Sequence, residues 1–81
     1  MNELTKYDDG SPIGEPTRRM LAFFRWEHLR ADLQPVSAAC SNLAHEMART
    51  LPDGPELTAG LRKLLEAKDC FVRADVEARN G

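Results

Sequence analysis

The stretch Leu51-Pro52-Asp53-Gly54-Pro55-Glu56 decides the fold, because it ends one helix and begins another within six residues. Helices usually end at or before the residue that precedes a proline, and Asp-Gly is a common tight-turn pair, so the first helix is expected to end at Leu51. Pro55 suits the first position of the next helix, and Glu56 complements its dipole. Two helices joined by so short a turn form an antiparallel hairpin.

Both arms of this hairpin show apolar residues at helical spacing. The arm before the turn is predicted to begin near Leu33, with Asp32 as its N-cap and Pro35 in its first turn. Its apolar stripe consists of Leu33, Val36, Cys40, Leu43, Met47 and Leu51. The arm after the turn continues for about six turns to Asn80, and Gly60 inside it costs about 1 kcal/mol relative to alanine. A close helix approach or a ligand at Gly60 would explain that cost.

The chain before the hairpin divides into a tail and one short helix. Residues 1–15 are polar and rich in turn residues, so they are predicted to form a flexible tail, and residues 16–81 a helical domain. A short helix is predicted from Thr17, as its N-cap, to about Trp26. The fold class is therefore all-α, with a short N-terminal helix packed across a two-helix hairpin.

Composition limits the class of protein. The 81 residues are 42% hydrophobic and 30% charged, which is typical of a globular chain. No apolar run reaches the roughly 18 residues needed to span a bilayer, and a signal-peptide pattern is absent, so a cytoplasmic location without membrane contact is expected. The hairpin cannot also cover Phe23, Phe24 and Trp26, which predicts a homo-oligomer.

Positive charge is concentrated in residues 16–31, which contain four arginines and one glutamate. The whole chain has a net charge of −2. That total does not favour general DNA binding. The segment from Arg25 to Arg30 combines two guanidiniums with Trp26 and His28, and indole rings stack on bases while arginines bind phosphate. A nucleotide site is one interpretation; the other is that Trp26 packs in a subunit interface and the arginines are solvated. Arg62 and Lys63 similarly fit either a solvated helix face or an anion site.

The sequence lacks the motifs of an enzyme or a metal protein. Cys40 and Cys70 have no ligand spacing, and in His45-Glu46-Met47-Ala48-Arg49 an arginine stands where a zinc helix needs its second histidine. No nucleophile elbow or glycine-rich phosphate loop is present. We therefore expect no catalytic residues, no metal and no cofactor.

Two segments nevertheless match a known pattern. HLRADLQPVSAACSNLAHEM (residues 28–47) and LPDGPELTAGLRKLLEAKDCFVRA (residues 51–74) resemble small helical phage proteins related to the anti-CBASS cyclic-oligonucleotide sponges. The similarity extends over roughly two thirds of the chain, from Phe23 to Ala74. It implies a helical homo-hexamer that binds cyclic dinucleotides, and in some members cyclic trinucleotides at separate pockets between protomers. Such proteins perform no chemistry; they hold the signal of a bacterial anti-phage defence.

The resemblance also implies roles for individual residues. The aromatic-histidine element of the family corresponds to Trp26 and His28, its polar position on the second helix to Ser37, and its arginine on the last helix to Arg62. Arg30 and Lys63 complete the predicted ligand-binding set, with Arg25 as a further cation. The alternative from a different class is a helical interaction or assembly module of phage origin that binds a protein through its apolar stripe and takes no nucleotide.

Overall fold

The computed structural model describes residues 13–80, which form three α-helices and one short 3-10 turn. Helix α1 spans Glu15–Ala22, the 3-10 turn spans Ala31–Leu33, α2 spans Gln34–Thr50 and α3 spans Pro55–Asn80. None of the residues 13–80 is in a strand, so the predicted all-α class is confirmed for this part of the chain. Of the tail predicted for residues 1–15, residues 1–12 lie outside this range.

Helices α2 and α3 pair across the predicted turn, and α1 packs on both of them. The turn follows the sequence closely: Leu51 is extended at the C-cap of α2, and α3 begins at Pro55. Because α3 has 26 residues against 17 in α2, its last turns extend past the start of α2. There the Arg79 guanidinium donates to the carbonyl of Asp32 at 2.7 Å.

The buried face of α2 differs from the predicted stripe. Of the six predicted stripe residues only Cys40 is buried, and the face is otherwise made of small residues: Ser37, Ser41, Ala44 and Ala48. Short side chains let neighbouring helices approach closely, so they occupy the packed side while larger ones flank it. Leu43 and Leu51 consequently remain 48% exposed each.

The boundaries of α1 also need correction. The helix begins at Glu15, and Thr17 is a fully buried residue inside it, not its N-cap. It ends at Ala22 and not at Trp26, because the N–H groups of Phe23 and Phe24 bond to carbonyls three residues back, which tightens the last turn. Ile13, which composition assigns to the tail, is buried in the core.

The N-cap of α2 also differs from the predicted one. Leu33 occupies the N-cap at the end of the 3-10 turn. Asp32 was predicted there, but its carboxylate instead accepts two hydrogen bonds from the Arg30 guanidinium, both at 3.1 Å. A carboxylate held by a two-pronged guanidinium contact cannot also turn toward the helix N–H groups.

Asp53 in the hairpin turn fastens α1 to the rest of the fold. Its carboxylate accepts the backbone N–H of Gly14 at 2.8 Å and the hydroxyl of Thr17. A side-chain carbon on Gly14 would lie 2.8 Å from the same carboxylate, so glycine permits this approach. Asp53 thus satisfies a free N–H at the start of α1 from a distant position in the sequence.

Asp53→Ala is expected to lower the free energy of unfolding by about 1 to 3 kcal/mol, because the buried Thr17 hydroxyl would lose its partner. Urea unfolding followed by circular dichroism measures the change. Glu66→Ala, which removes an exposed carboxylate from α3, is the matched control and should change stability by under about 0.5 kcal/mol. An equal small effect of both substitutions would show that Asp53 does not hold α1 in place.

Candidate functional site

A cavity of about 520 Å³ lies between α1, the loop of residues 23–30 and α2. Its volume is within the range of small-molecule sites. Its apolar wall includes Ile13, Leu21 and Phe24 from the core. Its remaining lining includes one aromatic side chain and five polar ones: Trp26, Arg18, Arg25, Glu27, Ser41 and His45. Charged, aromatic and hydroxyl groups from three elements therefore converge on one space.

The loop that carries Trp26 is fixed by hydrogen bonds from α2. The side-chain amide of Gln34 donates to the carbonyls of Glu27, at 3.3 Å, and Leu29, at 2.8 Å. The N–H of Leu29 also donates to the carbonyl of Trp26 at 3.1 Å, which closes a turn. The half-buried indole is thus held on a defined turn beside α2.

The cavity lining contains two guanidiniums, of Arg18 and Arg25, and one carboxylate, of Glu27, so its net charge is positive. Arg25 is in none of the ion pairs formed among residues 13–80. The Arg18 guanidinium pairs with Glu15, yet its Nε–H is buried and has no acceptor among the described residues. The exposed guanidinium of Arg25 is therefore the donor best placed for a ligand that brings anionic oxygens.

The imidazole of His45 also lines the cavity. Burial lowers the pKa of His45 below its usual 6.5, and the nearby Arg49 guanidinium lowers it further. Both effects favour the neutral imidazole over the imidazolium form. Ser41, one helical turn before His45, is buried beside it on the same face of α2.

The aromatic-histidine element is only partly assembled at this cavity. Trp26 lines it, whereas His28 is exposed and lines a neighbouring cavity of about 560 Å³. Arg25 and Glu27 belong to both cavities. Arg30 lines neither, and its guanidinium is already held by Asp32.

The other predicted ligand residues lie elsewhere. Ser37 is only 2% exposed, and its hydroxyl has no hydrogen-bond partner in the described part of the chain. Arg62 lines a separate cavity of about 500 Å³ near the hairpin turn, which Asp53 also lines. Lys63 is exposed on α3 beside Arg62. The six residues therefore do not form one site within a single chain.

Three polar members of the cavity were not assigned to a ligand site from the sequence: Arg18, Ser41 and His45, the last of which was weighed only as a zinc ligand. Arg18 belongs to the arginine-rich segment, but its distance from Trp26 along the chain hid their proximity. A signal for the other two was available, because Ser37, Ser41 and His45 recur at intervals of four and so share one face of α2. These polar residues share the packed side of α2 with Ala44 and Ala48, and polar groups on a packed helix face can mark a ligand site.

Residues 13–80 were also compared with the requirements of a metal site, a reactive thiol and a membrane span. Within it, no group of three or more histidine, cysteine, aspartate or glutamate residues could hold a metal ion. Burial raises the pKa of the Cys40 thiol, opposed in part by Lys68, so this thiol is not activated as a nucleophile. No helix of this range has both the length and the apolar character needed to cross a membrane.

Comparison with known proteins gives no match: no family model, no curated protein and no solved structure is similar to this chain. What the chain binds is therefore inferred from its own residues.

Proposed function

We propose that this chain binds cyclic oligonucleotide second messengers, in the first place cyclic dinucleotides, and sequesters them without changing them chemically. The observation that carries the proposal is the cavity in which Trp26, Arg18 and Arg25 converge. A cyclic dinucleotide offers flat bases and phosphodiester oxygens. An indole face stabilises a stacked base by about 1 to 3 kcal/mol, and a guanidinium donates charge-assisted hydrogen bonds to phosphate.

Two properties of the cavity favour this ligand class over a plain anion or an apolar molecule. A free phosphate would use the guanidiniums and leave the indole and the apolar wall of Leu21 and Phe24 without contacts. An apolar molecule would bury Arg25 without a partner, which costs free energy. A ligand with both a ring system and negative oxygens satisfies both sets of groups.

The biological role follows from mass action. A binder that takes up a bacterial defence signal lowers its free concentration, so the effector that responds to the signal is not switched on. Tight binding and abundance are required, and catalysis is not. We place this activity in the cytoplasm of the infected bacterium, where the resemblance to phage anti-CBASS sponges implies that the signal is made.

Self-association is the second part of the proposal. A groove of about 590 Å³ between α2 and α3 is lined mainly by apolar side chains, including Leu43, Met47 and Leu64. Phe71 is 54% exposed and shares a neighbouring cavity with Leu43 and Leu64. Such continuous apolar surface favours burial against other copies of the chain, for which the resemblance implies a homo-hexamer.

The same groove supports a second candidate function. Without nucleotide binding, the exposed apolar side chains would suit a protein-interaction or assembly module, whose partner fills the groove. The two functions differ in their sites, because the groove and the Trp26 cavity share no lining residue. Substitutions can therefore affect one without touching the other.

A ligand panel tests the proposed function. Thermal shift and calorimetry are carried out with cyclic di-AMP, cyclic di-GMP, cyclic GMP-AMP and cyclic tri-AMP, and with inorganic phosphate as the control for charge alone. We expect at least one cyclic nucleotide to bind far more tightly than phosphate, and chromatography after heat denaturation to recover it intact. A linear product that accumulates with time would contradict sequestration, and no binding by any of the four would favour the interaction module.

Gly60→Ala is the prediction that probes the groove. Gly60 lines it, and a side-chain carbon there would meet no atom of the chain within 4 Å. A single chain should therefore gain about 1 kcal/mol of helix stability from the alanine. If a second copy packs closely over Gly60, the added methyl group weakens the assembly instead.

Light scattering at micromolar concentration measures this outcome against the 9.1 kDa of one chain. We expect a multiple of that mass for the natural sequence, a lower average mass for Gly60→Ala, and monomers for Leu43→Lys, which places a charge on the half-exposed groove wall. A natural chain that is monomeric under these conditions would overturn self-association.

A further inference from the structure

His45 is a titratable group on the wall of the Trp26 cavity, beside the indole and the two guanidiniums. The charged groups around it come from every element of the cavity. Arg18 comes from α1, Arg25 and Glu27 come from the loop, and Arg49 lies one helical turn further along α2. Among the described residues at this cavity, three cations and one carboxylate therefore surround the imidazole.

An anion in the cavity would reverse that balance. Burial and Arg49 both disfavour the imidazolium form, which is why the pKa of His45 is lowered. A phosphodiester held by Arg18 and Arg25 would bring negative charge into the same space, and a nearby negative charge favours the protonated form. A protonated imidazole would then add a further charged donor to the contacts made by the two guanidiniums.

We infer that binding of a phosphate-bearing ligand in the Trp26 cavity is coupled to uptake of one proton at His45, so that acidity regulates the affinity. The inference rests on the proposed function, because it requires an anionic ligand in that cavity. It assigns His45 the role of a pH-dependent contact and involves no chemical change of the ligand.

The direction of the pH effect follows from linkage. The ligand raises the pKa of His45 above its value in the free protein. The extra contact is therefore fully present below the free-protein pKa, which lies under 6.5, and is lost as the pH rises through the pKa of the complex. A difference of one pKa unit between the two states makes the affinity about tenfold higher at the acid end.

Calorimetry with the four cyclic nucleotides tests the coupling at pH values from about 8 to about 5.5, the range over which histidine titrates. Each titration is repeated in two buffers of different ionisation enthalpy, since proton uptake then appears as a difference in the observed heat. We expect affinity to rise by about tenfold as the pH falls and up to one proton to be taken up per bound ligand near neutral pH.

His45→Gln and His28→Gln form a matched pair, because these are the two histidines of the chain. We expect His45→Gln to abolish the pH dependence and the buffer-dependent heat, while His28→Gln keeps both even if its overall affinity is changed. Circular dichroism and light scattering show whether each variant keeps its fold and mass.

The outcomes separate this inference from the proposed function. Binding that does not vary with pH, or a pH dependence that persists in His45→Gln or is lost in His28→Gln, would overturn the role of His45 and leave sequestration standing. No binding of any cyclic nucleotide at any pH would overturn both. If His45→Gln loses its fold, the buffer-dependent heat of the natural chain against that of His28→Gln still decides the result.

Discussion

Phe24→Ala is expected to lower the free energy of unfolding by about 3 to 5 kcal/mol. Phe24 is 1% exposed and belongs to the core cluster that joins α1 to both arms of the hairpin. The face of α2 in this core carries alanine and serine, whose short side chains cannot extend into the space that a lost phenyl ring would leave. The cavity would therefore remain largely unfilled, and its cost would add to the lost burial.

The size of this effect is decisive for so small a domain. Chains of this length are stabilised by about 5 to 15 kcal/mol at most, so the substitution would remove a large part of the total. Urea unfolding measures it, with Phe23→Ala as the matched control. Phe23 is 62% exposed, and its removal should cost under about 0.5 kcal/mol. Equal losses for the two neighbours would mean that Phe24 is not the centre of the core.

The hairpin could be predicted from the sequence because its determinants are local. Pro52 and Pro55 each restrict the backbone regardless of what packs nearby, so the end of α2 and the start of α3 were fixed within one residue. The start of α1 depended on Asp53, which is distant in sequence, and the prediction placed it at Thr17 instead of Glu15. Local signals thus located the elements, and tertiary contacts moved their ends.

The larger difference between prediction and structure is the face of α2 that is buried. Hydrophobicity ranks Leu43 and Met47 above Ser37 and Ala44, and so pointed to the wrong side of α2. Close packing of α1 against the hairpin selects small side chains, and this property has no signature in apolar periodicity. Phe24, which was expected to need cover from another chain, is buried, whereas Phe23 stays exposed and Leu43 adds exposed apolar surface at the groove.

The candidate site could be predicted only where its residues are neighbours in sequence. Trp26 and Arg25 stood out because they lie together in the arginine-rich segment. Arg18 and His45 reach the same cavity from different helices, so their proximity depends on how α1 crosses α2. Ser37 came from resemblance alone, and its 2% exposure places it in the interior.

Trp26→Ala is expected to weaken cyclic dinucleotide binding by about 1 to 3 kcal/mol, or roughly 5- to 150-fold, through the loss of base stacking. Arg62→Ala should leave that affinity within about twofold, because Arg62 lines a different cavity near the hairpin turn. If Arg62 serves a separate trinucleotide site, the same substitution should cost about 1.5 to 3 kcal/mol in cyclic tri-AMP binding through the lost charge-assisted contact. Arg19→Ala removes a surface guanidinium from α1 and is the control for charge alone.

Calorimetry on the three variants, each first checked for mass by light scattering, separates the two possible roles of the half-buried indole. If Trp26 stacks on a base, Trp26→Ala keeps the mass of the natural chain and loses only the ligand that enters its cavity. An indole that instead packs between protomers would give Trp26→Ala a lower mass and weaken every ligand together. Parallel losses in Trp26→Ala and Arg62→Ala at unchanged mass would mean that the two cavities of neighbouring chains join into one site. The two-site interpretation would then be wrong, because residues that line separate cavities of one protomer would be acting on the same ligand across an interface.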